Sequence, residues 1–170
     1  ALYRRFNRSV KYSITHGPEH LDIVESGEVL PLYELARYTF ERQGLMPPLS
    51  LQALQRMNEA IGKHGKHELL YARAKDGRYH SGTLLFHTAG VSYPLLAGNG
   101  PGSRKSGAFQ YLMWECMKRS AAHSRQFNFL GSTMPNIAPT LNGFRAVPTP
   151  YFEVYRARPA LLTPFVQWLI

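Results

Sequence analysis

Cysteine is nearly absent from this chain, and carboxylates are scarce. A single cysteine, Cys116, stands among 170 residues. That excludes an intrachain disulfide and fits a reducing, cytoplasmic compartment. No run of about 18 apolar residues occurs, so no transmembrane helix is expected. The start, Ala1-Leu-Tyr-Arg-Arg-Phe, has no initiator Met and no apolar signal core; it reads as a cut inside a longer chain. Internal repeats and low-complexity stretches are missing too. No Ser-His-Asp order or nucleophile elbow appears, so covalent catalysis is not expected. His64-Gly-Lys-His67 has a metal-like spacing, but Glu68 is its one Cys or carboxylate neighbour, and no metal is expected.

Positive charge is what the chain has in excess. Twenty Lys and Arg oppose 11 Asp and Glu, a formal net charge of +9. Arg4, Arg5, Arg8 and Lys11 form one concentration. Arg104, Lys105, Lys118, Arg119 and Arg125 form another. Such a balance suits a nucleotide cofactor, RNA or an acidic membrane surface, or a merely soluble basic surface.

The periodicities predict a mixed α/β chain. Residues 1–16 read as a basic helix closed by Gly17-Pro18, and Leu21–Glu25 as a short strand. Leu32, Leu35, Ala36, Thr39 and Phe40 recur at helical spacing, with a stop at Gly44. Ser50 caps a second helix that turns Leu51, Leu54, Met57 and Ile61 inward. Glu68–Ala74 and Arg78–His87 flank an Asp-Gly turn, and Val91–Ala97 completes a three-strand antiparallel meander. A helix is predicted from about 107 to 124, with Phe109, Leu112, Met113, Cys116 and Met117 on one stripe. A strand at Gln126–Leu130, a short helix at 136–144 and a strand at Thr149–Tyr155 follow.

Between the meander and that helix lies Ala97-Gly-Asn-Gly-Pro-Gly-Ser-Arg-Lys-Ser-Gly-Ala108. Its glycines permit close backbone approach to a ligand. Arg104 and Lys105 precede a helix N-terminus, where free N–H groups favour an anion. Phosphate or pyrophosphate is the natural occupant; a strand-to-helix connection needing glycine for geometry alone is the other reading.

The order of these segments resembles the GNAT acyltransferase superfamily. Within it the chain looks like the Fem-type branch, which holds the FemAB aminoacyltransferases and bacterial acetyltransferase-domain proteins near exopolysaccharide genes. The resemblance rests on Leu32–Gly44, Tyr93-Pro-Leu-Leu-Ala-Gly98, Phe127-Asn-Phe-Leu-Gly-Ser132, Phe144-Arg-Ala146 and Pro150-Tyr-Phe-Glu-Val154. It implies a mixed, mostly antiparallel sheet with flanking helices and one parallel crossover. The implied domain covers 31–158, with 1–30 as a basic remnant or linker from a preceding domain and 159–170 as an apolar tail able to dock on a partner domain or a membrane surface. It further implies that Gly98, Arg104, Lys105, Ser106, Gly107 and Ala108 hold the phosphates of acetyl-CoA or another acyl-CoA, or alternatively of an aminoacyl-tRNA. The family's Arg/Gln-x-x-Gly-x-Gly/Ala pattern is met at Arg104 and Gly107 and departs at Phe109.

On this resemblance the activity is N-acyl transfer to an amine on a sugar, a peptide or a cell-wall or polysaccharide precursor. Tyr93 and Tyr151 are candidate proton donors to a leaving group, with Asn128 beside them. Ser132, Asn136 and Arg42 are candidates for the acceptor side. Relatives often carry acidic residues in the strand where this chain has Asn128 and Leu130, so positioning must supply much of the acceleration. Two rivals stand: a non-catalytic half serving acceptor or partner binding beside a second GNAT-like domain, and a basic RNA-binding module.

Overall fold

Lys75-Asp-Gly-Arg78 turns the chain back on itself, as its Asp-Gly pair predicts. Asp76 Oδ1 accepts the Arg78 N–H at 3.0 Å, and Gly77 takes the left-handed φ of 87° that the turn requires. The two arms are β2 (Lys66–Ala74) and β3 (Tyr79–His87). A computed structural model describes residues 2–130 and 138–150 of this protein.

Five strands form one sheet in the order β1-β2-β3-β4-β5. β1 (Leu21–Glu25) pairs antiparallel with β2, and β4 (Val91–Asn99) pairs antiparallel with β3. β5 (Gln126–Phe127) lies parallel to β4. Parallel neighbours require a crossover, and α6 (Ala108–Ser120) supplies it. The meander and the parallel crossover match the sequence expectation.

Helices cover both faces. On one lie α2 (Arg8–His20), α6 and, beside them, the single turn α1 (Leu2–Arg5). Their core joins Phe6, Val10 and Ile14 to Leu112, Met113 and Cys116, over Leu70, Ala72 and Leu85 of the sheet. On the other face lie α3 (Leu30–Glu41) and α4 (Leu51–His64). There Leu32, Leu35 and Leu54 pack on Leu69, Tyr71 and Leu84. Each fully buried leucine contributes about 1.5–3 kcal/mol relative to exposure. Ser50 caps α4 as expected, its Oγ accepting the Ala53 N–H at 3.2 Å.

Some boundaries differ from the sequence expectation. α2 continues through Pro18 to His20 instead of stopping at Gly17. Gly17 lies against the Tyr111 ring with no room for a Cβ, and this packing overrides the local break. Residues 8–25, expected to precede the domain, form α2 and the edge strand of its sheet. The helix expected over 107–124 ends at Ser120, and a separate turn, α5 (Ser103–Ser106), precedes it. Gly107, at φ 64°, breaks the two apart. β5 stops at Phe127 because Asn128 Oδ1 accepts the Leu130 N–H at 2.8 Å and folds the chain into a turn. α7 (Ala138–Gly143) falls within the short helix expected at 136–144. The strand expected over Thr149–Tyr155 is irregular at its first two residues; the rest lies outside the described residues, as do Ser132, Asn136, Tyr151 and the 159–170 tail.

Candidate functional site

β4 and β5 stay together only at their beginnings. Val91 pairs with Gln126 and Ser92 with Phe127. A last bond runs from the Asn128 N–H to the Ser92 carbonyl at 2.9 Å. Beyond it β4 runs on to Asn99, while the ladder with β5 ends in the turn Asn128–Leu130, where Leu130 has a φ of 63°. The register of β4 against β3 also shifts here: Leu85 opposes Pro94 and Leu84 opposes Leu96, so Leu95 is the extra residue of a bulge. A bulge leaves one residue off the ladder and is tolerant of a proline next to it. The half-buried Tyr93 stands one step beyond the Ser92–Phe127 pair, level with Asn128. Those two candidates are therefore brought together at the mouth of the splay. Asn128 is exposed, and its Oδ1 is already engaged by the Leu130 N–H.

The end of β4 is fixed by a cluster of polar groups. Thr39 Oγ1 on α3 accepts the Asn99 N–H at 2.7 Å and donates toward backbone carbonyls of Leu35 and Asn99. Asn99 Oδ1 accepts from both Ser81 Oγ at 2.8 Å and Ser103 Oγ at 3.0 Å. The loop thus leaves the sheet at a defined angle. Arg42, just past the end of α3 and three residues beyond Thr39, is exposed at this same end.

Two glycines of the loop serve packing. A Cβ on Gly98 would lie 2.3 Å from the Ala36 backbone nitrogen. Gly98 therefore lets α3 cross β4 at close range. A Cβ on Gly107 would lie 2.4 Å from Ser13 Oγ on α2. Both glycines are thus required by the packing of α3 and α2, whatever else they serve. Ala108 is fully buried in the α2–α6 core.

Arg104 and Lys105 remain for an anion. Both are exposed on α5, and neither joins an ion pair among the described residues. Just behind them begins the 13-residue α6, with Tyr111 N–H to Gly107 O as an early bond of its ladder. The N–H groups at Ala108–Gln110 precede that ladder and have no intrahelical acceptor. Two exposed cations thus stand on the turn just before the first-turn N–H groups and positive dipole end of α6. Phe109 packs against the α2–α6 core and Trp114 against Tyr3 and Phe6. Among the described residues no group of three or more His, Cys, Asp or Glu is placed to hold a metal ion.

Several residues that shape this site were not singled out for it by sequence. Thr39, Asn99, Ser81 and Ser103 act through pairings between distant segments, which no spacing rule reveals. His80, near the start of β3, lies 3.0 Å from Ser106 Oγ.

A family model described as an acetyltransferase (GNAT) domain matches residues 2–135. A search of curated proteins finds no match. Among solved structures, FemX superposes with a TM-score of 0.72 at 14% identity, over 84% of this chain and 55% of that protein. The chain thus spans about half the length of FemX. The aminoglycoside acetyltransferase AAC(6')-Iy, solved with a bisubstrate analog, superposes at 0.61 with 17% identity, over 82% of this chain and 99% of that one. An aminoglycoside acetyltransferase from an uncultured soil metagenomic sample, solved with sisomicin, superposes at 0.64 with 10% identity, over 83% and 99%. The parallel crossover, the splay and the matched family model agree: the chain belongs to the GNAT acetyltransferase domain family.

Proposed function

We propose that this domain is an N-acyltransferase that receives its acyl group from a phosphate-bearing donor along Gly98–Ala108. The observation that carries this reading is the exposed Arg104–Lys105 pair, without an ion pair among the described residues, on the turn that leads from the end of β4 into the N-terminus of α6. Acetyl-CoA or another acyl-CoA fits these residues, and AAC(6')-Iy, a fold neighbour, has also been solved with CoA. Aminoacyl-tRNA is the alternative donor, which the net charge of +9 and the FemX likeness favour. Either donor supplies an activated ester or thioester carbonyl.

The chain's own residues then have separable tasks. Arg104, Lys105 and the first N–H groups of α6 bind phosphate. Backbone groups of β4 at the Leu95 bulge orient the acyl carbonyl in the splay. The amine of a sugar, peptide or cell-wall precursor enters beside β4, with Arg42, Ser132 and Asn136 as the candidates to bind it. Tyr93 or Tyr151 hands a proton to the leaving group. No carboxylate lies on Gln126–Leu130, so the amine must arrive deprotonated and the rate comes mainly from placement.

A second reading is a non-catalytic half of a two-domain protein. The engagement of Asn128 in a turn favours it, as does the 55% coverage of FemX. Thermal melting with acetyl-CoA, longer acyl-CoAs and RNA tests the donor. A specific ligand at about 100 times its Kd stabilises by roughly 2.7 kcal/mol. Stabilisation by acyl-CoA with turnover on amine acceptors supports the first reading. Binding without turnover supports the second, and stabilisation by unacylated RNA alone supports an RNA module.

A further inference from the structure

Ser106 closes the turn that carries Arg104 and Lys105, and two histidines from separate elements hold it. His80 Nδ1 on β3 lies 3.0 Å from Ser106 Oγ. His20 Nε2, at the end of α2, lies 3.1 Å from the Ser106 carbonyl oxygen. The Ser106 hydroxyl has one proton, and it donates to the Gly102 carbonyl at 3.0 Å. With the proton so placed the hydroxyl accepts from His80, which assigns the imidazole proton to Nδ1. Nε2 is the ring atom left to titrate. The ring is also confined: a Cβ on Gly102 would lie 2.5 Å from both Nε2 and Cε1. Gly102 and Ser106 bracket Arg104 and Lys105, so the imidazole sits against the backbone of the cationic turn itself.

We infer that His80 is a positioning residue for the donor's phosphates: it fixes the cationic turn through Ser106 and, when donor binds, takes up a proton on Nε2. This rests on the reading that Gly98–Ala108 holds a phosphate-bearing donor. The charged groups that act on the ring are Asp76 and Arg78 from the preceding turn and strand start and His20 from α2; Arg104 and Lys105 lie on the turn whose Ser106 it holds. Burial, with Arg78 and His20, holds the ring below the ordinary imidazole value, and Asp76 acts against them. Without donor the ring is neutral near pH 7. Phosphate beside it favours the charged form. The bound ring therefore titrates higher than the free one. The extra affinity is present below the free-state value and is lost as pH rises through the bound-state value. Protonation leaves the Nδ1 bond to Ser106 intact, so the turn keeps its shape while its charge changes.

The test is calorimetric titration of the whole chain with coenzyme A and with inorganic pyrophosphate, between about pH 5.5 and 8. His80→Asn keeps an N–H donor for Ser106 but cannot titrate. The ratio of variant to wild-type Kd cancels the titration of the ligand's own phosphates. That ratio should lie near one at the alkaline end and rise about three- to tenfold at the acid end. His80→Ala, which also loses the bond to Ser106, should bind more weakly throughout. The imidazole titration of His80 in the wild type, followed by NMR, should move to higher pH on adding coenzyme A, and needs no variant to fold. A Kd ratio flat with pH, or a His80 titration unmoved by bound coenzyme A, overturns the inference and leaves the donor site standing. If neither coenzyme A nor pyrophosphate binds the wild type, the donor site falls and this inference falls with it.

Discussion

His87 Nε2 on β3 lies 3.0 Å from Glu68 Oε1 on β2, and the two side chains are almost fully buried. Arg119, on the last turn of α6, reaches the other Glu68 oxygen at 2.5 Å and Glu25 at 3.1 Å. His87 Nδ1 continues to Ser92 Oγ at 2.8 Å, and Ser92 to Ser124 at 2.7 Å. This network ties β1, β2, β3 and β4 to α6 at the end of the sheet where β5 joins. It sits at the opposite end of β4 from the proposed donor site, so its work is to hold the base from which β4 and β5 diverge.

Removing one partner of this buried network should be costly. Glu68→Ala leaves the His87 ring and one face of the Arg119 guanidinium without their carboxylate. Breaking a buried pair from one side typically costs about 3–5 kcal/mol. Denaturant unfolding at neutral pH measures it, and a loss near 0.5 kcal/mol would place Glu68 on an effectively solvated surface. The acid limb has a definite sign. Burial alone would raise the Glu68 carboxyl, but hydrogen bonds from Arg119 and His87 outweigh it and hold the group below 4.5. Its contribution is therefore complete above 4.5 and is lost as pH falls through the lowered folded value. Glu68→Gln should flatten stability over that acid window relative to the wild type.

Gly98→Ala adds a single methyl group that meets α3 backbone at 2.3–2.5 Å. Backbone cannot rotate aside as a side chain can. Overpacking of this kind costs about 1–3 kcal/mol, so the melting temperature should fall. Donor affinity should fall with it as α3 and the end of β4 separate. Gly90→Ala is the control, because nothing lies within 4 Å of a Cβ there.

Much of the architecture was legible because it depends on local chemistry. Asp76-Gly77 announced the β2–β3 hairpin, Ser50 the start of α4, and the apolar spacing of Leu112, Met113 and Cys116 the buried side of α6. The crossover to β5 followed from the order of the segments. The errors have a common cause in long-range contact. Gly17-Pro18 reads as a stop until Tyr111 is laid against it. That Gly98 and Gly107 also serve packing shows only once Ala36 and Ser13 are seen against them. The holding of Asn99 by Thr39, 60 residues away, and of Ser106 by His80 and His20, carries no signature along the chain.

Arg104 and Lys105 should matter for donor binding and little for folding. Both are exposed and unpaired among the described residues. The double change to Ala should cost under about 0.5 kcal/mol of stability. Each lost charge-assisted contact to phosphate is worth about 1.5–3 kcal/mol, so acyl-CoA affinity should drop at least tenfold. Calorimetry reads the affinity and melting the stability. An unchanged affinity would move the anion site away from α5.

Cys116 should be chemically silent in the native state. It is fully buried among Leu112, Met113 and Met117, and burial pushes its thiol well above the ordinary range. Thiolate is the reactive form. Iodoacetamide labelling should therefore proceed only as fast as the protein opens, and Cys116→Ala should leave acyl transfer intact. Rapid labelling at neutral pH without loss of structure would contradict the buried placement.

The rate profile with pH tests how the amine is activated. Tyr93 stands at the mouth of the splay, level with Asn128, and neither Asn128 nor Leu130 can accept a proton near neutral pH. If the domain is catalytic, turnover should rise with pH as the free acceptor amine deprotonates, and the midpoint should follow the acceptor when acceptors of different basicity are compared. Tyr93→Phe and Tyr151→Phe should each cost at most about 10²–10⁴-fold, the scale of acid–base assistance. They should lower kcat more than they raise KM, because proton donation to the leaving group belongs to the transition state. A profile governed by a group near pH 5, unmoved by the choice of acceptor, would mean that an enzyme carboxylate takes the proton. Glu115 and Glu153 would then be replaced first. Donor binding with no turnover on any amine would instead assign this domain to the non-catalytic half.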